Sequence, residues 1–283
     1  MDAESADVVF EVGGQHAPNE ADEFKGTTRG RHTAVVHVGT PPSLPIFIPR
    51  NPSACSVIQG MFMDAESADV VFEVGGQHAA NEAKQKKIKT SKTEFYAHRP
   101  ILMKVAPALA DMIKMSHDVT PTRIAICDVS SCIFNIVLRY MYGHPIHESW
   151  GDIARTKEIL DAANRFEAIS LKLTAEAKYV SSVTLTVENV MDELTYAESM
   201  HCALLKEKVV DFIVENAAKL KSKVLTGTPE GLINDILLAV ARREGKGGVH
   251  GMGISELRRE AYNKGLNIGG SREMLIAILG YAG

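Results

Sequence analysis

The sequence predicts an α+β fold, a small sheet followed by a long helical cluster. Asp69-Val-Val-Phe-Glu-Val-Gly-Gly alternates apolar and polar residues and ends in Gly75-Gly76, which reads as a strand entering a turn. Glu94-Phe-Tyr-Ala returns as a second strand and breaks into a helix at His98-Arg99-Pro100, where proline suits the first helical turn. Beyond that point apolar residues recur at helical spacing, interrupted by one further alternating run at Arg123-Ile-Ala-Ile-Cys127.

The elements follow in order. Arg99 to Ala106 is a short helix in which Ile101, Leu102 and Val105 supply the apolar face, and Pro107 opens a second helix through Met115. After the strand at 123–127, Asp128 or Ser130 caps a helix with Ile133, Phe134, Val137, Leu138 and Met141 at helical spacing, stopped by Gly143-His144-Pro145. Ile153 to Phe166 repeats the pattern with Ile159, Leu160, Ala163 and Phe166, and Ser170 to Val180 adds another helix. A helix beginning at Val187 runs through Ser199. Another spans His201 to Leu220, with Leu205, Val209, Phe212, Ile213 and Leu220 on one side. Thr228-Pro229 caps a helix carrying Leu232, Ile233, Ile236, Leu237 and Val240, and the glycine-rich 245–250 reads as a flexible linker. In the remaining 251–283, Ser255 and Ser271 each cap a helix and Gly265 sits where the first would end. Leu257 and Ala261 share a face there, and Leu275, Ile278 and Leu279 face inward.

Several of these segments together resemble the BTB/POZ domain. They are Phe-x-Ala-His-Arg-x-Ile-Leu at 95–102, Ala106-Pro107-Ala-Leu, Ile126-Cys-Asp128-Val129 with Phe134, Tyr140-Met-Tyr142-Gly143, Leu160-x-Ala-Ala-Asn-Arg-Phe166 and Leu171-x-x-x-Ala-Glu176. They cover residues 68 to about 182 in the family's order, and the chain is similar to the speckle-type POZ protein family. The helices over 183–244 resemble the BACK or 3-box-like extension of cullin adaptors. Ile254-Ser-Glu-Leu-Arg-Arg, Gly265-Leu266, Gly270-Ser-Arg272, Leu275-Ile276 and Leu279 resemble the SAP motif, a DNA-associated helix–loop–helix. The expected organisation is therefore a BTB/POZ fold at 63–182, the helical extension at 183–244, the linker at 245–250 and a SAP-like unit at 251–283.

The resemblance implies a protein-interaction scaffold that is a homodimer through Ile101, Leu102 and Val105. The reading of the residues alone leaves those three equally able to pack within one subunit. The resemblance also implies a substrate adaptor for a cullin-RING ubiquitin ligase, with a cullin scaffold and a protein substrate as partners. Adaptors of that kind carry an apolar-x-Glu signature after the second helix; here the stretch is Met115-Ser-His117-Asp118-Val119, with no glutamate. The alternative is a nuclear DNA-associated regulator pairing two SAP-like tails through the dimer. From Arg242 onward seven Lys/Arg face four Glu, and Arg258, Arg259, Lys264 and Arg272 could reach phosphates, with backbone N–H groups free at the helix opened by Ser271.

Residues 1–62 read as a poorly ordered segment, because 24–62 holds proline, glycine, serine and arginine without periodicity. Met1–Ala17 and Met63–Ala79 are identical, which suggests a duplication with Met63 as the natural start; the sharper alternative is that the first copy competes for the second's place in the sheet.

Composition narrows the function classes. The 283 residues are 45% hydrophobic and 23% charged with net charge −4, so nucleic-acid binding would have to be local. No secretory leader or membrane-spanning run is evident. Cys55, Cys127, Cys132 and Cys202 lack paired spacing, so an intracellular protein of the nucleus or cytoplasm is expected. Lys86, Lys87 and Lys89 in the loop after the first strand fit a nuclear-import signal as well as a solvated lysine loop. Gly245-Lys-Gly-Gly lacks the spacing of a phosphate loop, His144 and His147 lack further ligands for a metal, and Cys127 reads as a core residue. No acid/base or nucleophile arrangement stands out, so a non-enzymatic protein without cofactor or metal is expected.

Overall fold

Val70–Val74 (β1) is the middle strand of a three-stranded sheet ordered β2-β1-β3. Thr93–Ala97 (β2) pairs with it antiparallel, and Thr122–Ile126 (β3) pairs with it parallel. The computed structural model describes residues 45–51, 55–75, 92–114, 121–220, 230–243 and 248–281. The register places Phe72 opposite Phe95 on one side and Ile124 on the other, so the period-two alternation sends these three, with Val70, Val74, Ala97 and Ile126, to one inner face. The outer parity carries a buried Val71 and a charged cluster: Arg123 reaches Glu73 at 3.0 Å and Glu94 at 2.7 Å, relieving the two carboxylates that the register sets opposite each other. Being exposed, these pairs set strand register more than they stabilise it.

The inner face is closed by helices. Arg99–Val105 (α2) starts with proline in its first turn, and its Arg99 amide donates to Asp69 Oδ1 at 2.7 Å. Pro107–Lys114 (α3) follows, and Ser131–Met141 (α4) opens where Ser130 Oγ accepts from the Ile133 amide at 3.3 Å. Phe134 is the hub: its ring sits 5.2 Å from Phe72, 5.2 Å from Phe95 and 5.8 Å from Phe166. Ile153–Arg165 (α5) and Ile169–Ser182 (α6) complete this half, burying Ile159, Leu160, Ala163 and Leu171. The result is a mixed α+β fold, mostly helical around a small sheet.

The helical part continues with Val190–Ser199 (α7), Ala203–Glu215 (α8) and Ala217–Leu220 (α9). The stretch expected as one helix from His201 to Leu220 is thus two, parted at Asn216. Glu230–Arg243 (α10) buries Leu232 but leaves Ile233, Leu237 and Val240 exposed; its expected cap, Thr228-Pro229, lies outside the described residues. Ile254–Asn263 (α11) and Arg272–Tyr281 (α12) end the chain. The first of these is capped at Gly253, whose amide donates to Glu256 Oε2 at 2.8 Å, and not at Ser255. Gly265 follows it at φ +69°, the left-handed residue foreseen at that end. At the second, Ser271 Oγ accepts from the Met274 amide at 3.4 Å.

Two expectations about organisation change here. The described part of the segment before Met63 is tied to the body, although no periodicity announced it. Ser56–Gly60 (α1) places Gln59 Nε2 2.7 Å from the Gly143 carbonyl, and Phe62 lies 5.8 Å from the Tyr142 ring. The C-terminal pair α11–α12 is not an independent tail either: a buried and a half-buried carboxylate hold it to the preceding helices, and a Cβ on Gly269 would come within 3.3 Å of Ile169.

Candidate functional site

The exposed side of α2 is the surface the sequence analysis pointed to, and the structure divides its three residues. Leu102 is fully buried among the subunit's own core residues. Ile101 and Val105, one helical turn apart, remain half-buried, and Met103 is 48% exposed. Leu102 is therefore withdrawn as an interface residue, because the subunit's own core already covers it. Met103, two positions from both Ile101 and Val105, projects about 160° round the helix axis, so α2 leaves Ile101 with Val105 on one side and Met103 on the other. Met115, His117 and Asp118, the cullin-contact candidates, lie outside the described residues, as do Lys86, Lys87 and Lys89.

The candidate phosphate contacts take a different form from the one expected. Arg258 is 2% exposed, and its Nη1 lies 2.8 Å from Glu176 Oε2, a carboxylate with no exposure at all. The other oxygen of Glu176 accepts from the amides of Leu204 at 2.7 Å and Leu205 at 3.3 Å, at the start of α8. Glu207 repeats the device from α8. It accepts from the Ile254 amide at the start of α11 and takes Arg242 at 2.9 Å and Arg272 at 3.1 Å. Each carboxylate caps the N-terminus of another helix and binds arginine from further ones, so Glu176 joins three helices and Glu207 four. Burial pushes the Glu207 carboxyl above the usual range, against the pull of Arg242.

Arg258 and Arg272 are thus structural, and a phosphate would reach them only by breaking buried ion pairs. Arg259 is half-buried and donates to the Pro45 carbonyl at 2.7 Å. Lys264 is exposed, 3.8 Å from Glu260. Ser271 serves as a cap. Of the five, only Lys264 presents an exposed charge of the kind phosphate binding uses, and it is loosely paired with Glu260.

Glu176 and Glu207 escaped the sequence reading. For Glu176 a signal existed, since it stands on the apolar stripe of α6 with Leu173, Tyr179 and Val180 at i−3, i+3 and i+4. A cavity of about 580 Å³ lies between α7, α8, α10 and the start of α12. Its charged walls are mutually paired, Lys206 with Asp235 at 2.8 Å and with Glu198 at 3.3 Å.

One serine–histidine contact calls for a proton count. Ser67 Oγ lies 2.8 Å from His98 Nε2, and Tyr142 Oη lies 2.8 Å from both the amide and Nδ1 of His98. Ser67 has a single hydroxyl proton, which it donates to Asp64, and this bond holds the Asp64 carboxyl below its ordinary value. His98 Nε2 must then donate to Ser67, and Nδ1 must accept from Tyr142. An imidazole donating to a serine does not activate it, so this network ties the start of α2 to the end of α4 and is no nucleophile. Among the described residues no cluster of His, Cys, Asp and Glu could hold a metal ion, and no helix is long and apolar enough to cross a membrane.

Cys127 is exposed, not core: it continues the outward parity of Arg123 and Ala125. Cys55 and Cys132 are exposed too, whereas Cys202 is buried and its thiol is pushed up to about 12, first by burial and then by Glu176. Titration of the native chain with a thiol-specific disulfide reagent at mildly alkaline pH is expected to consume Cys55, Cys127 and Cys132 promptly, and Cys202 only on unfolding. Prompt loss of all four would show that Cys202 is open to solvent.

The architecture is thus a small sheet closed by helices, with apolar residues of α2 left partly uncovered. Residues 61–182 match the family model of the BTB/POZ domain, and a BTB/POZ domain is present there. Such domains generally mediate protein–protein interaction, commonly homodimerise, often serve as adaptors and are generally non-enzymatic.

Proposed function

We propose that this chain is a homodimeric adaptor, similar in plan to the speckle-type POZ family, that brings a protein substrate to a cullin-RING ubiquitin ligase. The observation that carries the pairing is the apolar surface that α2 leaves uncovered: Ile101 and Val105 half-buried on one side, with Met103 exposed on another. A two-fold contact would bury the Ile101 and Val105 side against its own copy. The helices α7 to α10 occupy the place of the BACK or 3-box-like extension and support cullin recruitment; the missing glutamate near His117 argues for a different contact there.

Light scattering after size exclusion tests both halves of the proposal. The full chain is expected to elute as a dimer, and to gain the mass of a cullin N-terminal fragment when one is added. Ile101→Asp with Val105→Asp is expected to weaken pairing on the order of 100-fold, because two carboxylates would be desolvated at the seam. A wild-type monomer at micromolar concentration would sink the pairing, and an unchanged profile with the cullin fragment would sink recruitment.

The reading as a DNA-associated regulator with SAP-like tails is weakened by the same geometry. Two of its four cationic residues are buried in ion pairs and a third is hydrogen-bonded to Pro45.

A further inference from the structure

Residues 45–51 form neither helix nor strand, yet side-chain hydrogen bonds pin them at both ends. At one end Arg259 of α11 donates to the Pro45 carbonyl at 2.7 Å, and the Phe47 ring sits 5.4 Å from Tyr262 on the same helix. At the other, Asn51 Nδ2 donates to the Tyr140 carbonyl at the end of α4, also at 2.7 Å. Between these anchors Ile46 packs on the core and Pro49 is buried, while Ile48 and Arg50 point to solvent.

These are the features by which proteins read an extended peptide: a carbonyl taken by a cationic side chain, ring against ring, and a proline in a depression. Two prolines within five residues also stiffen the free segment and lower the entropy lost on docking. The contacts belong to α11 and to the BTB/POZ domain, so the seat exists only because the C-terminal pair is clamped in place.

We propose that this seat is a recognition site for an extended apolar peptide bracketed by prolines. The chain fills the site in cis with residues 45–51, and a partner protein bearing such a segment enters it by displacing them. A tethered segment competes at an effective concentration on the order of millimolar, so the site is masked against weak ligands in the intact chain.

The test uses a fluorescein-labelled peptide with the sequence of residues 44–51 and fluorescence anisotropy. Against the full chain carrying Ile46→Ser, Phe47→Ala and Pro49→Ser, saturable binding at least about tenfold tighter than to wild type is expected. Adding Arg259→Ala is expected to weaken it by about tenfold, the loss of one charge-assisted hydrogen bond. A folded triple variant that fails to bind, or binding indifferent to Arg259→Ala, would overturn the proposal. If the triple variant lacks a cooperative melt, the same peptide with a photoreactive benzophenone at the Phe47 position is added to wild type at a concentration on the order of millimolar. Attachment within 254–264 then supports the site, and attachment only elsewhere, or none, rejects it.

Discussion

Glu176→Ala is expected to destabilise the full chain by about 3–5 kcal/mol, because it strips a buried arginine of the carboxylate paired with it. Arg258 is 2% exposed and cannot swing into water without opening the contact between α6 and α11. The Leu204 and Leu205 amides lose their acceptor at the same time. Against a total stability of roughly 5–15 kcal/mol, such a loss decides whether the chain folds. Glu176→Gln should fall between the two, since an amide oxygen can still accept from those amides but carries no charge toward Arg258. Glu176→Leu combined with Arg258→Met should recover much of the loss by removing both charges together. Urea midpoints of the four proteins measure the order. An alanine variant within about 0.5 kcal/mol of wild type would mean that the pair is solvated and the C-terminal helices are free.

Phe134→Ala carries the second large effect, about 3–5 kcal/mol from lost burial and the cavity left behind. Its ring contacts Phe72 and Phe95 on two strands and Phe166 at the end of α5, so no single element can collapse into the space. Phe134→Leu is expected to cost clearly less. Equal midpoints for the alanine and leucine variants would show that the aromatic cluster is not what joins sheet to helices.

Much of this architecture is legible in the sequence wherever the partner of a residue is periodic. The alternation of 70–74 and 93–97, the cap at Ser130 and the stripe from Ile133 to Met141 all appear where local pattern places them. The parity of β3 even assigned Cys127 to the outside, a signal overlooked because cysteine is so often buried. Leu102 was assigned to the dimer interface through family resemblance, yet its own subunit's core buries it. What periodicity could not supply were the non-local contacts. Arg258 reads as surface charge until Glu176, 82 positions earlier, is seen beside it. Residues 45–51 read as unstructured because their anchors, Arg259 and Tyr140, are remote in sequence and follow no repeat.

The grip of Glu207 on three helices has a consequence for how the chain can be dissected. A fragment truncated at residue 244 would strand that carboxylate with Arg242 alone, and would uncover the apolar surface against which Leu257, Leu275 and Leu279 pack. Such a piece would be sticky for reasons unrelated to its biology, and mapping by deletion would credit it with partners the intact protein never meets.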